Sequence, residues 1–189
     1  PEVSTLGYTP GNAVANQAFV PLAGGDVCVF SLTDTDVVID VNGYYRSDSG
    51  AGFTPVTPVR LFDSRDDGVR IAAGEERAFH VVGTNPGAPA GATAVAINLT
   101  AILPDEAGYV RVYPCGAPSA AEISSINFGA GDIRANTVVT PVSSGGSICV
   151  QASTGLDVAF DLLGHFASSG YSFQPLVPVR MFDSRYRTS

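Results

Sequence analysis

PVRLFDSR, Pro58 to Arg65, decides how this chain is read, because it returns as PVRMFDSR at Pro178 to Arg185. The copies start at residues 58 and 178, 120 apart, and their surroundings repeat at nearly the same distance. Self-similarity at a fixed period marks a repeat architecture, in which each unit is one structural element of an array. Phe53 matches Phe173, so FTPVTPVRLFDSR in one copy answers FQPLVPVRMFDSR in the next. Upstream, STLGYTPGNAVAN (Ser4 to Asn16) answers SSINFGAGDIRAN (Ser124 to Asn136), and Pro21 answers Pro141. Between Gly24 and Cys149 the offset grows to 121, as Cys28 and Cys149 show, so one loop carries an extra residue. DVVIDVNGYY (Asp36 to Tyr45) then answers LDVAFDLLGHF (Leu156 to Phe166).

This matching divides the chain into the back part of one repeat (1–52), a complete repeat (53–172) and the opening strand of the next (173–189). The expected setting is a longer parent chain. SDSGAG, Ser47 to Gly52, and its counterpart Ala167 to Gly170 read as short inter-repeat joints.

With 45% apolar residues and mean hydropathy +0.21, a 120-residue repeat has enough apolar side chains to bury its own core. No apolar run approaches the roughly 20 residues that cross a bilayer as a helix. A net charge of −8 argues against nucleic acid and anionic membrane surfaces as partners. All ten basic residues are Arg. Without Lys, a Lys–Asn isopeptide cross-link cannot form.

The three cysteines fit the same frame. Cys115 follows VRVYP, Cys149 lies in SICVQ, and Cys28 is the copy of Cys149. The partner of Cys28 would lie one repeat earlier, so the odd count reduces to one pair and one unmatched copy. A Cys115–Cys149 disulfide closes a loop of roughly 35 residues, adds about 3 kcal/mol in the chain-entropy model, and implies an oxidising, extracellular compartment. Two buried free thiols are the alternative. Metal ligation is not expected, since neither thiol has a CxxC or a nearby His.

The chain reads as β throughout. Ala18–Leu22 and Val27–Ser31 flank an Ala-Gly-Gly turn, a hairpin signal. Val37–Val41 is rich in β-branched residues and ends at the Asn42-Gly43 turn. Asp66-Asp67-Gly68 reads as a turn and Arg77–Val82 as a strand, while Gly83–Ala92 is too rich in Gly and Pro for regular structure. Thr93–Leu103 is long enough for a helix, but its Val, Ile and Thr content makes it a buried strand. Pro104–Gly108 then turns into Tyr109–Tyr113, a second expected hairpin. Seven to nine short strands per repeat predict an antiparallel β-sandwich, of jelly-roll or Ig-like Greek-key type.

PVRLFDSR, the NFG-like turn before an AN strand start (Asn127 to Asn136), YPCG, the ICV cysteine and a terminal D-x-x-G-x-aromatic together resemble a known family. The chain resembles the β-rich repeat modules found, often in tandem, in secreted and cell-surface proteins of actinobacteria. The resemblance implies an accessory or array-forming module and supplies no catalytic residues. One departure is Asp161-Leu162-Leu163-Gly164, which lacks the Asn of Asp40-Val41-Asn42-Gly43.

Several charged residues recur in both copies: Arg60, Asp63 and Arg65 as Arg180, Asp183 and Arg185, and Asp40 as Asp161. They fit either a cationic pocket for an acidic sugar or a structural Arg–Asp network tying the front strand of a repeat to its last strand. The network is the preferred reading, because Asp40 and Asp161 sit in apolar strands where a carboxylate needs a partner. Tyr109, Arg111 and Tyr113 alternate onto one face, with Val110 and Val112 inward, and form a candidate sugar-stacking platform, a set of cross-strand pairs or an inter-repeat contact. Asp34, Asp36 and Asp40, like Asp63, Asp66 and Asp67, have oxygens for Ca²⁺ but no EF-hand spacing. Asn98-Leu99-Thr100 is a glycosylation sequon inside an apolar strand, and His80 and His165 stand alone. No GxSxG elbow is present.

The expectation is therefore a non-catalytic extracellular spacer, stalk or fibre segment without a cofactor, contacting neighbouring repeats of its own or identical chains. The alternative is a carbohydrate- or cell-wall-binding module serving a secreted hydrolase.

Overall fold

A computed structural model describes residues 5–11, 14, 16–22, 24–46, 52–117, 124–168, 170 and 172–186. All of the expected joint at Ser47–Gly52 except Gly52 therefore lies outside the described residues, as do the side chains of Asp40 and of residues 172–180. The regular structure of the described residues is nearly all β, and the named strands pair antiparallel. In order they are β1 (Val38–Arg46), β2 (Gly52–Asp63), β3 (Glu76–His80), β4 (Ala94–Ile102), β5 (Gly108–Pro114), β6 (Ile126–Phe128), β7 (Ile133–Pro141), β8 (Ser147–Ala152), β9 (Asp157–Ala167) and β10 (Ser172–Asp183). One helical turn, α1 (Ser64–Asp67), follows β2 and stops at Gly68, whose φ of 65° is readily reached only without a side chain. That turn is where the Asp-Asp-Gly signal placed a reversal.

Three sheets result. β2-β9-β4-β7 and β3-β8-β5-β6 have four strands each, and β1 pairs with β10. One core cluster draws on both four-stranded sheets: Val95, Ile97, Leu99 and Ala101 of β4 and Val158, Phe160 and Leu162 of β9 meet Val110 and Val112 of β5 and Ile148 and Val150 of β8. The intervening residue Ala96 belongs to a second cluster with Phe53 and Leu163. β4 thus buries both faces, and a strand covered on both faces loses the alternation of a half-exposed one. This explains why Thr93–Leu103 is the longest apolar run, although Thr93 and Leu103 themselves lie outside β4 and are exposed.

Two expected hairpins are absent, for the same reason. β4 already pairs with β7 and β9, so the chain leaving it crosses to the other sheet, where β5 pairs with β6 and β8. Pro104–Gly108 is an arch between sheets. Residues 18–22 and 27–31 belong to no named strand; the matching residues in β7 and β8 also lie in different sheets.

Candidate functional site

The residues that recur in sequence converge where β2 meets β9. Arg60 lies opposite Asp161 in the ladder and Phe62 opposite Phe160, with one residue of β2 skipped between them. Asp161 is 1% exposed in a strand whose neighbours are buried. Its carboxylate accepts from Arg60 Nε at 2.5 Å, and Arg60 Nη1 also donates to Asp63 at 2.6 Å. Asp63 caps α1 by accepting from the backbone N–H of Arg65 at 3.1 Å, and it takes a forked pair from the Arg65 guanidinium at 2.9 and 2.7 Å. Two planar guanidinium groups thus hold two buried carboxylates, an arrangement that a point-charge Lys could not reproduce. The Arg65 hydrogen bonds hold the Asp63 carboxyl below its usual range, against the opposing effect of burial. Its stabilising share is present above the ordinary carboxylate pKa and is lost as pH falls through the lower folded value.

Ser64 completes the cluster and was missed in the sequence. Fully buried, it donates from Oγ to Asp157 at 2.7 Å and accepts from the Val158 N–H at 2.9 Å. It is the S of FDSR and recurs as Ser184, just as Asp157 recurs as Asp36; the same repetition that picked out the charges was the signal.

The second ladder has the same geometry. Asp40 lies opposite Arg180, Tyr45 opposite Phe173 and Gly43 opposite Pro175, as Asp161, Phe166 and Gly164 lie opposite Arg60, Phe53 and Pro55. Its irregularities fall at matching places, between Ile39 and Asp40 and between Val41 and Gly43. Arg185 donates to Asp183 from its backbone at 3.1 Å and from its side chain at 2.8 and 2.6 Å. Ser184 donates to Asp36 at 2.8 Å and accepts from the Val37 N–H at 2.8 Å. Farther along, Asn16 donates to the Thr5 carbonyl as Asn136 does to that of Ser125.

The junction between the ladders is aromatic. Phe19 and Tyr45 pack on Phe53, with ring centroids at 4.7 and 4.9 Å, and Phe53 packs on Phe166 at 5.1 Å. Gly164 makes room for Phe53: a Cβ there would meet its ring and stand 2.7 Å from the Thr54 carbonyl oxygen. This gives the glycine of the D-x-x-G-x-aromatic stretch a steric role. Asn16 spans the same junction, donating to Asn98 at 3.1 Å and accepting from the Thr137 N–H at 2.8 Å. Asn98, 2% exposed, is closed to glycosylation in this fold.

Cys115 and Cys149 form a disulfide that joins the chain just after β5 to β8, whereas the Cys28 thiol is free and exposed. Tyr109, Arg111 and Tyr113 do not form the open platform expected from alternation. Val110 and Val112 point into the core as expected, but Tyr113 is only 4% exposed and its hydroxyl donates to Glu76 at 2.5 Å. Burial, then the Glu76 hydrogen bond and charge, push the Tyr113 phenol up to about 12. The Arg111 guanidinium stacks 4.7 Å from the Tyr109 ring centre, occupying the face a sugar would use.

His80 Nδ1 lies 3.3 Å from Ser147 Oγ on an exposed strand pair. His165 is buried with Nδ1 unpartnered, and burial lowers its pKa. Among the described residues no three His, Cys, Asp or Glu side chains are placed to hold a metal ion, and no helix is long and apolar enough to cross a membrane. Comparison with family models, curated proteins and solved structures finds no match.

Proposed function

We propose that the chain is a stretch of a non-catalytic extracellular array built from β-sandwich modules of about 120 residues, serving as a spacer, stalk or fibre. One observation carries this reading: the β1–β10 ladder reproduces the β2–β9 ladder in register, irregularities and capping hydrogen bonds. The front and back strands of a module therefore recognise each other through their sequences, whichever copy each belongs to. Eight strands, β2 to β9, run from residue 52 to residue 167, and their two sheets share one core. A unit of that kind buries its own core and meets its neighbours at short joints, as an array requires. The disulfide suits an oxidising compartment, and the acidic Lys-free composition suits a solvated extracellular surface. The motif set supports placing the modules beside the repeat modules of actinobacterial surface proteins.

The carbohydrate-binding alternative loses its best platform with Tyr113 buried and Tyr109 covered by Arg111. Electron microscopy of the native, unreduced protein from its producing cells tests the array reading. Regular fibres or stalks, with a spacing near the length of one module, are expected. Single compact particles would refute it.

A further inference from the structure

The exposed large apolar residues crowd most closely in the N-terminal segment. Val20, Leu22, Val27, Val29 and Phe30 are all exposed, Val29 to 58%. Their copies in the complete repeat behave oppositely. Val27 and Val29 correspond to Ile148 and Val150, both at 0% exposure, and Val20 corresponds to the buried Thr140. The same residue pattern is therefore core in one copy and surface in the other.

The complete copy shows what makes the difference. Ile148, Cys149 and Val150 of β8 lie between two strands: Phe79, Ala78 and Arg77 of β3 on one side and Pro114, Tyr113 and Val112 of β5 on the other. β4, which runs between β3 and β5 in sequence, supplies the facing layer of the core. All three strands come from one segment, Glu76 to Pro114, that precedes β8 on the same chain. Among the described residues nothing flanks residues 27–31 as a strand, and they belong to no named strand themselves.

We propose that the strip formed by residues 20–22 and 24–30 is a docking site for a polypeptide segment of the Glu76–Cys115 pattern. The incoming segment adds a β3-like and a β5-like strand to either edge of residues 27–31 and lays a β4-like strand over Val27 and Val29. Its cysteine arrives beside Cys28 as Cys115 does beside Cys149. A second copy of this chain is a poor occupant, because its own Glu76–Cys115 segment is already committed to its own core.

The inference rests on the array reading, but it has its own test. A second copy of residues 53–123 is fused directly ahead of Ser4, reproducing the connection that leads from residue 123 into Ser124. The free-thiol count of the unreduced, denatured protein is expected to fall from one to zero. Peptide mapping is expected to link Cys28 to the added cysteine, and amide exchange at residues 27–31 to slow by at least 100-fold. If Cys28 stays titratable and residues 27–31 exchange as before while residues 94–102 remain protected, the proposal is overturned. The unextended chain gives a second check that does not depend on the fusion folding. There the proposal requires fast exchange at residues 27–31 and an unchanged melting temperature in the V27D/V29D variant. Slow exchange, or concentration-dependent self-association abolished by V27D/V29D, would assign the strip to another occupant and overturn it. Compact native particles in the microscope would remove the array reading while leaving the fusion result to stand or fall separately.

Discussion

Replacing Arg60 by Met tests whether the charge cluster holds β2 to β9. The Asp161 side chain is 2% exposed and that of Arg60 is 37% exposed, so the variant strands a carboxylate that water can barely reach. Asp63 keeps its forked contact with Arg65, so only one carboxylate loses its partner. Breaking a buried pair from one side costs about 3–5 kcal/mol, mostly the penalty of the abandoned charge. The partial exposure of Arg60 lets some solvent reach the gap, which puts the expected loss near the lower end, at about 3 kcal/mol. D161N should cost less, about 1–2 kcal/mol, because the neutral amide still accepts from Arg60 and the cation keeps Asp63. The double variant R60M/D161L removes both charges and should recover to within about 1 kcal/mol of the parent. Urea unfolding at pH 7 reads these differences, followed by far-UV circular dichroism and by tyrosine fluorescence, since the chain has no Trp. With a slope of about 1–3 kcal/mol per M, a 3 kcal/mol loss lowers the midpoint by about 1–3 M. A loss under about 1 kcal/mol for R60M, or a double variant no better than R60M, would show that the pair does not hold the strands.

Three further outcomes follow from the geometry. C115S/C149S opens a link spanning 34 residues and should lose about 3–4 kcal/mol in urea unfolding; loss of less than 1 kcal/mol would remove the disulfide from the stabilising set. Tyr113, held neutral by burial and by Glu76, should give an absorbance step at 295 nm near pH 12 that is missing in Y113F. Because its folded pKa is raised, its contribution to stability is complete below pH 10 and is lost as pH rises towards about 12. Parent and Y113F titrations that superimpose would refute that assignment. G164A forces a methyl against the Phe53 ring and the Thr54 carbonyl and should cost about 1–3 kcal/mol; an unchanged melting temperature would show that the strand has slack there.

What the sequence revealed depended on which signals repeat. The β character, the buried strand within Thr93–Leu103 (Ala94–Ile102) and the Cys115–Cys149 pair were legible, because β-branched content and matched cysteines are properties of the chain itself. Arg60, Asp63, Arg65 and Asp161 stood out through duplication, yet Ser64 did not, because a Ser in a turn needs no special explanation until its burial is known. Alternation placed Val110 and Val112 correctly but not Tyr113: it tells which face a residue takes, not whether Glu76, two strands away across β8, covers that face. Pro104–Gly108 looked like a hairpin because turn residues signal a reversal and not the sheet entered afterwards. That depends on β7 and β9 having already taken both edges of β4, which are long-range pairings.

The duplicated cluster explains why charges sit at a strand pairing that apolar residues could hold as well. β2 and β9 are long, with 12 and 11 residues, and both carry apolar side chains on either side of the pair. A slip of one residue flips side chains to the opposite face, but a slip of two keeps the apolar pattern and is poorly resisted by packing alone. Asp161 removes that freedom. With β2 displaced by two residues, its carboxylate would face Pro58 or Phe62 instead of Arg60, leaving a buried charge unpaired. In a chain that carries the same front and back strands more than once, any front strand can meet any back strand, as β10 meets β1. The Arg60–Asp161 ion pair fixes the register of β2 on β9, and the same two residue types, Asp40 and Arg180, stand opposite each other where β1 meets β10. R60M/D161L should accordingly keep its stability but lose its single register, visible as doubled amide resonances for β2 and β9. One set of resonances in that variant would mean that packing alone sets the register.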